Sequence, residues 1–282
     1  MRDTAASRKY IDLIRGASSK WANWDPPTKI KVGDYGKIDS ESGELDVEGN
    51  IYEEAFQESL NKQGLKIDLS DVLCQPKKGG LGDDIILTSS GVKRGDLSMK
   101  PEVSFLNLAS TSVKAEFQFQ EGKRGAVLIM HKPQQEFIPP GKVLNLVHNA
   151  TELYDKYLVT STFTCPGYFI YMSNKSGERI AVGLTTSAPI LAAGGLTAGA
   201  TASVDWWTDA QAAFLRKAFD KAGQYRFTPL YTLNRQNNLI RRLFRGEVEE
   251  ETEDDLWPDC TTPWQPLDED GVEDPVWEDV RH

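Results

Sequence analysis

Histidine and cysteine are scarce in this 282-residue chain, three of each, and their placement excludes more than it suggests. Cys74, Cys165 and Cys260 stand far apart, with no zinc-site spacing. An odd number of separated thiols fits reduced side chains rather than a disulfide framework. His131 precedes a Lys-Pro pair and His148 lies in a short apolar stretch; neither belongs to a hydrolytic triad or a metal motif. The residues therefore point to no enzyme, metal or cofactor, and a cysteine hydrolase using Cys74 or Cys165 is the only enzymatic alternative. The glycine-rich KKGGLGDD, Lys77 to Asp84, lacks the GxxxxGK[ST] and GxGxxG orders that cradle phosphate. The opening MRDTAASRKY has no apolar signal-peptide core, so a cytoplasmic chain is expected.

Charge is also missing from one long stretch. The twenty-five residues from Ile180 to Val204 carry no ionisable side chain, in a chain that is 26% charged. Gly183, Pro189, Gly194, Gly195 and Gly199 make this run a poor transmembrane helix. It reads better as two β-arms about a Gly194-Gly195 turn. Ile180, Val182 and Leu184 alternate in the first arm, and Leu196, Ala198, Ala200, Ala202 and Val204 in the second. A membrane-spanning strand needs about 9–11 residues, so the two arms are long enough. Asp205, Trp206 and Trp207 then supply a charge and two indoles of the kind found at a bilayer surface. A buried hairpin in a soluble core would show the same pattern.

A second hairpin is predicted around EGKRG, Glu121 to Gly125. Val113, Ala115, Phe117 and Phe119 alternate with polar residues before the turn, AVLIM (Ala126 to Met130) returns after it, and Lys123 and Arg124 make a basic tip. Near the N-terminus, Ser7 to Trp21 has Tyr10, Leu13, Ile14, Ala17 and Trp21 at helical spacing, with Arg8, Lys9, Arg15 and Lys20 against a single acid, Asp12. Such a basic amphipathic helix suits an anionic lipid surface, although an ordinary packed helix with a solvated face has the same signature. Helices are also predicted over Thr208 to Ala222, from a Thr208/Gln211 capping box, and over Leu233 to Arg245.

The net charge of −10 hides a division. From Glu247 to His282 there are 15 acidic side chains and one arginine; the rest of the chain has 31 basic and 27 acidic ones. Four prolines in the acidic stretch exclude long helices. Yet it holds Trp257, Trp264 and Trp277, three of the seven tryptophans. A tail that served solubility alone has no need of indoles, so the pattern predicts a strap: aromatic anchors in pockets, carboxylates over a basic surface.

The strings VGDYGKID (Val32 to Asp39) and VEGNIYEEAF (Val47 to Phe56), following a Trp-rich helix, resemble the fungal gasdermin-like proteins, relatives of the pore-forming domain of animal gasdermins. The resemblance extends over about Tyr10 to Phe244. It implies an α+β fold, a twisted and mostly antiparallel sheet with packed helices. Residues 1–245 would be a pore-forming domain and 246–282 a short autoinhibitory tail. It also implies a course of events in programmed cell death, as in heterokaryon incompatibility. A subtilisin-like protease cuts behind a bulky apolar residue, for which Phe244 is the best match. The freed body then leaves the cytoplasm for acidic phospholipid at the cell membrane, and its homo-oligomer inserts β-hairpins. Nucleic acid has no part in it. The chain departs from the animal members in having a short tail instead of a helical inhibitory domain, and from bacterial members in lacking an N-terminal cysteine for a lipid. Some fungal relatives respond instead to an incompatible partner variant. Outside the resemblance, the alternative is a soluble α+β binding module whose acidic tail recruits a basic partner.

Overall fold

The computed structural model describes residues 3–95, 111–187, 203–210, 214–236 and 256–273. The chain begins with helix α1 (Asp3–Ser18), whose Ala6, Tyr10 and Ile14, one turn apart, are fully buried beside Ile11. The helix ends three residues before the predicted Trp21. The Ser18 hydroxyl bonds back to the Ile14 carbonyl and Ser19 takes a left-handed conformation (φ 58°), so Trp21 leaves the helix and enters strand β1 (Trp21–Ala22).

The fold is α+β with three antiparallel sheets. β2 (Asp34–Ile38) and β3 (Leu45–Asn50) form a hairpin, followed by helix α2 (Glu54–Lys62). Then come β4 (Lys77–Leu81), β5 (Ile85–Thr88), β6 (Val92–Gly95), β7 (Thr111–Phe119), β8 (Ala126–His131), β9 (Gln134–Phe137) and helix α3 (Val143–Val147). The later strands are β10 (Tyr157–Cys165), β11 (Gly167–Met172), β12 (Arg179–Ser187), β13 (Ser203–Thr208), β14 (Phe214–Phe219) and β15 (Phe227–Arg235). The first sheet runs β1-β15-β10-β2-β3, with β9 pairing β10 further along and β4 pairing β9. The second runs β14-β11-β8-β5 and the third β13-β12-β7-β6.

The second sheet is the middle layer. Ala126, Leu128 and Met130 of β8, with Tyr168, Ile170 and Met172 of β11, face the core shared with α1 and the first sheet. The alternate residues Val127, Ile129, Phe169 and Tyr171 face the third sheet, against Ala115, Phe117, Phe119, Ile180, Val182, Leu184 and Trp206. A strand covered on both faces reads as an unbroken apolar run, as AVLIM does.

That layering corrects the second predicted hairpin. β7 and β8 do not pair: the chain crosses between sheets at residues 120–125, and β7 lies across β8 face to face. The partners of β7 are β6 (Val92↔Phe119) and β12 (Ile180↔Phe117, Val182↔Ala115, Leu184↔Val113). The other hairpin is present as β12 and β13, registered Ser187↔Ser203. Its second strand begins at Ser203, and Ala198, Ala200 and Ala202 lie outside the described residues. Two helical expectations are also overturned. Thr208–Ala222 contains β14, paired along its length with β11, and Leu233–Arg235 belongs to β15, paired with β10. The remainder of the second predicted helix lies outside the described residues.

Phe169 is fully buried where the middle layer meets the third sheet. Phe169→Ala is expected to lower stability by about 3–5 kcal/mol in urea unfolding. Phe214→Ala, at a half-buried site on the layer's edge strand, should cost clearly less.

Candidate functional site

The six cations singled out from the sequence do not behave alike. Four of them converge on the C-terminal segment. Arg8 Nη1 donates to Glu273 Oε1 at 2.8 Å and to the Ser40 carbonyl at 2.9 Å, while Nη2 reaches the Gly271 carbonyl at 3.3 Å. Lys9 Nζ donates to the Leu267 carbonyl at 3.2 Å and lies 4.0 Å from a Glu269 carboxylate oxygen. Arg124 meets Glu269 twice, its backbone N–H donating to Oε2 at 2.6 Å and its Nε to the carbonyl at 2.6 Å; its Nη2 is 3.6 Å from Asp270 Oδ1. Arg15 donates to the Cys260 carbonyl and lies over the Trp21 ring. Lys20 instead sits over Phe163, and Lys123 is exposed. Sequence reasoning missed Lys175, whose Nζ donates to Asp270 Oδ1 at 2.7 Å.

The segment that meets these cations is a built turn. Leu267 and Glu273 bridge across it, and Asp268 Oδ1 accepts from the backbone N–H groups of Asp270 and Val272. Gly271 takes φ 75°, as the reversal requires. Asp268 is thus spent on the turn, leaving Glu269, Asp270 and Glu273 to face the cations. The Lys175 ammonium, ahead of Arg124, holds the Asp270 carboxyl below its ordinary 3.8. A depressed carboxylate favours docking above that value, and its contribution is lost as pH falls through the lower docked value.

Two tryptophans hold the segment from the other side, each in a different core. Trp257 packs with α3 and Leu158, its Nε1 donating to the Leu144 carbonyl at 3.0 Å, with its ring edge-on to His148. Asn234 Nδ2 donates to the Trp257 carbonyl at 2.7 Å. Residues 258–260 then follow β15 where β1 stops, with Cys260 N–H bonded to the Leu233 carbonyl. Burial pushes the Cys260 thiol up to about 12. Trp264 packs edge-on against Trp21 at 5.9 Å between ring centroids, and its Nε1 donates to Asp12 Oδ1 at 3.1 Å. The turn at Gly43 makes room for it: a Cβ there would lie 2.8 Å from the indole. Asp12, the acid within the basic face of the helix, is therefore the hook for an anchor. Trp277 and Phe244 lie outside the described residues.

Of the strands read as membrane-inserting, β7, β12 and β13 come together in the third sheet, whereas β8, read as the return arm of the second hairpin, lies in the second. β6–β7 and β12–β13 are two antiparallel pairs side by side in the third sheet, joined through β7 and β12. Their apolar side chains point inward: Ala115, Phe117, Phe119, Ile180, Val182 and Leu184 are buried and Val204 is partly so. Gly95, Thr111, Ser187 and Ser203, the last described residues on either side of 96–110 and 188–202, lie toward one end of the sheet, where Thr111 pairs with Thr185. Among the described residues, no three His, Cys, Asp or Glu side chains cluster to hold a metal. No family model, curated protein or solved structure matches the chain.

Burial outweighs the Trp264 hydrogen bond and the nearby cations in raising the Asp12 carboxyl above its ordinary value. A carboxyl raised on folding costs stability that sets in as pH rises past the unfolded value, is complete above the folded value, and vanishes below the unfolded one. Asp12→Asn keeps an oxygen acceptor for Trp264 and removes the buried charge, so unfolding stability at neutral pH should not fall. Asp12→Ala leaves the indole N–H without its acceptor and should cost about 1–3 kcal/mol. Thermal unfolding of both variants across pH checks the pair.

Proposed function

We propose that this chain is an autoinhibited pore-forming protein of the gasdermin type, held inactive by its C-terminal segment. The observation that carries the proposal is the occupancy of Arg8, Lys9, Arg15 and Arg124 by residues 260–273. Glu269, Asp270 and Glu273 sit where anionic headgroups would sit, so segment and membrane compete for the same cations. The carboxylates of these pairs stay 39–60% exposed over mostly covered cations, and pairs open to solvent are worth only about 0–1 kcal/mol, which makes the acidic turn displaceable once the segment is no longer tethered. Tethering holds the local concentration at about millimolar, and a cut within 237–255, with Phe244 the best position, removes that advantage.

The third sheet supplies the inserting part. Its nine-residue strands β7 and β12 are amphipathic, with the apolar face covered by the middle layer in the closed form. Lifting that sheet would present the same face to lipid. β6 and β13, its outermost strands, have no further ladder partner among the described residues. Pairing β13 of one copy with β6 of the next repeats head to tail, and only a closed ring leaves no edge in hydrocarbon. Activation would thus move the protein from the cytoplasm to the membrane.

Two measurements test this. Residues 1–244 should release dye from liposomes containing acidic phospholipid and spare neutral ones, and the intact chain should release neither. Replacing Arg8, Lys9 and Arg124 by Gln should weaken binding of the truncated chain to acidic liposomes by more than tenfold, at about 1 kcal/mol for each lost cation. Liposomes left intact by a folded 1–244 chain would refute pore formation. A chain that bound acidic lipid without leakage would favour the binding-module reading.

A further inference from the structure

A second cationic surface lies away from the C-terminal segment. Between the β14–β15 connection and the loop after β1 is an open cleft of about 820 Å³, lined by Pro27, Lys29, Phe219–Phe227 residues of the connection and no residue of 256–273. Three cations reach it, Lys29, Lys221 and Arg226, against one carboxylate, Asp220. Lys29 and Lys221 are exposed, and neither has a carboxylate within ion-pair distance among the described residues.

The carboxylate is already committed. Asp220 Oδ1 accepts from the backbone N–H groups of Ala222 and Gln224, and Oδ2 accepts from Arg226 Nε at 2.9 Å. Its side chain is 9% exposed while that of Arg226 is 62% exposed, so the guanidinium is the member of the pair that faces solvent. Gly223, at φ 69°, closes this turn, and the Thr228 N–H to Pro26 carbonyl bond at 2.9 Å stitches the two walls together. The cleft is therefore a fixed frame with an anchored arginine fork, two unpaired ammonium groups and the half-buried Tyr225 and Phe227 rings beside them. Arg226 Nε and Nη2 also donate to Gln224 Oε1 at 3.4 Å, so Nη1 and the second N–H of Nη2 are the donors left for a tetrahedral oxyanion, with the two point charges beside them.

We infer that this cleft binds a phosphate-bearing anion, and that it does so in the intact, uncut chain. The site is independent of pore formation: it would give the closed protein a foothold on a phosphorylated ligand or an anionic bilayer while Arg8, Lys9 and Arg124 are covered.

The test uses the full chain. Binding of inositol hexakisphosphate is followed by calorimetry, and co-sedimentation with phosphatidylcholine vesicles is measured with and without phosphatidylserine. Lys29→Gln with Lys221→Gln is compared with Lys62→Gln with Lys66→Gln, which removes the same charge from exposed positions elsewhere. The expected result is binding that Lys29→Gln/Lys221→Gln weakens at least tenfold and the control pair leaves nearly intact, with unchanged circular dichroism. Loss confined to the soluble phosphate would support the site with a free phosphorylated ligand as its source. Loss confined to vesicles would support it with a lipid headgroup as source. Absence of binding to either probe, or equal weakening by both pairs, would overturn the assignment. None of these outcomes depends on leakage, so the pore reading can fail without it.

Discussion

Everything in this molecule leans on the middle sheet being buried from both sides. β8 and β11 place alternate residues into two different cores, so α1 and the first sheet are bound to one face and the third sheet to the other. The two interfaces differ in kind. The first is closed by a helix, an indole cluster and long strand pairings. The second is one amphipathic sheet laid on apolar side chains, with only a few polar ties such as Trp206 Nε1 to the Ala218 carbonyl. Apolar contact is non-directional and is recovered equally well against lipid tails. On the proposed function, this is the layer that would change its partner while keeping its internal ladder.

The C-terminal segment divides its labour along its length. Trp257 and Trp264 are core residues by burial, in two separate clusters, and they set where the segment lies. The turn at 267–273 is an electrostatic cover placed by those anchors. Large buried rings resist removal by salt, and exposed ion pairs do not. Apolar anchoring thus dominates the first half of the segment and charge the second, where Arg8, Lys9 and Arg124 lie.

Much of this was legible in the sequence. Indoles in an acidic, proline-broken stretch foretold anchors; of the six cations the sequence singles out for lipid, Arg8, Lys9, Arg15 and Arg124 meet the C-terminal segment instead, while Lys20 and Lys123 do not. What failed did so for a physical reason. AVLIM looked like the return arm of a hairpin because a basic turn precedes it, but a turn does not reveal that the chain changes sheet. β14 read as a helix because Phe214 and Ala218 face one core while Leu215 and Phe219 face the other. Two half-buried faces erase the alternation of a strand and leave apolar residues at spacings a helix would also use. Pairing with β11 then decided the outcome over local propensity. Lys175 had no local signal, since its partner Asp270 is 95 positions away, and Gly43 is legible as a turn but not as the recess for Trp264, more than two hundred positions on.

Cys260 travels with the C-terminal segment yet is buried under it, bonded through its backbone to β15. A thiol held up to about 12 is almost wholly protonated at neutral pH and nearly inert to alkylation. If the segment lifts, as the proposed function requires, the same side chain would return to water and to ordinary reactivity. On that reading the chain would carry an intrinsic chemical clock, whose labelling rate would count how often the cover opens.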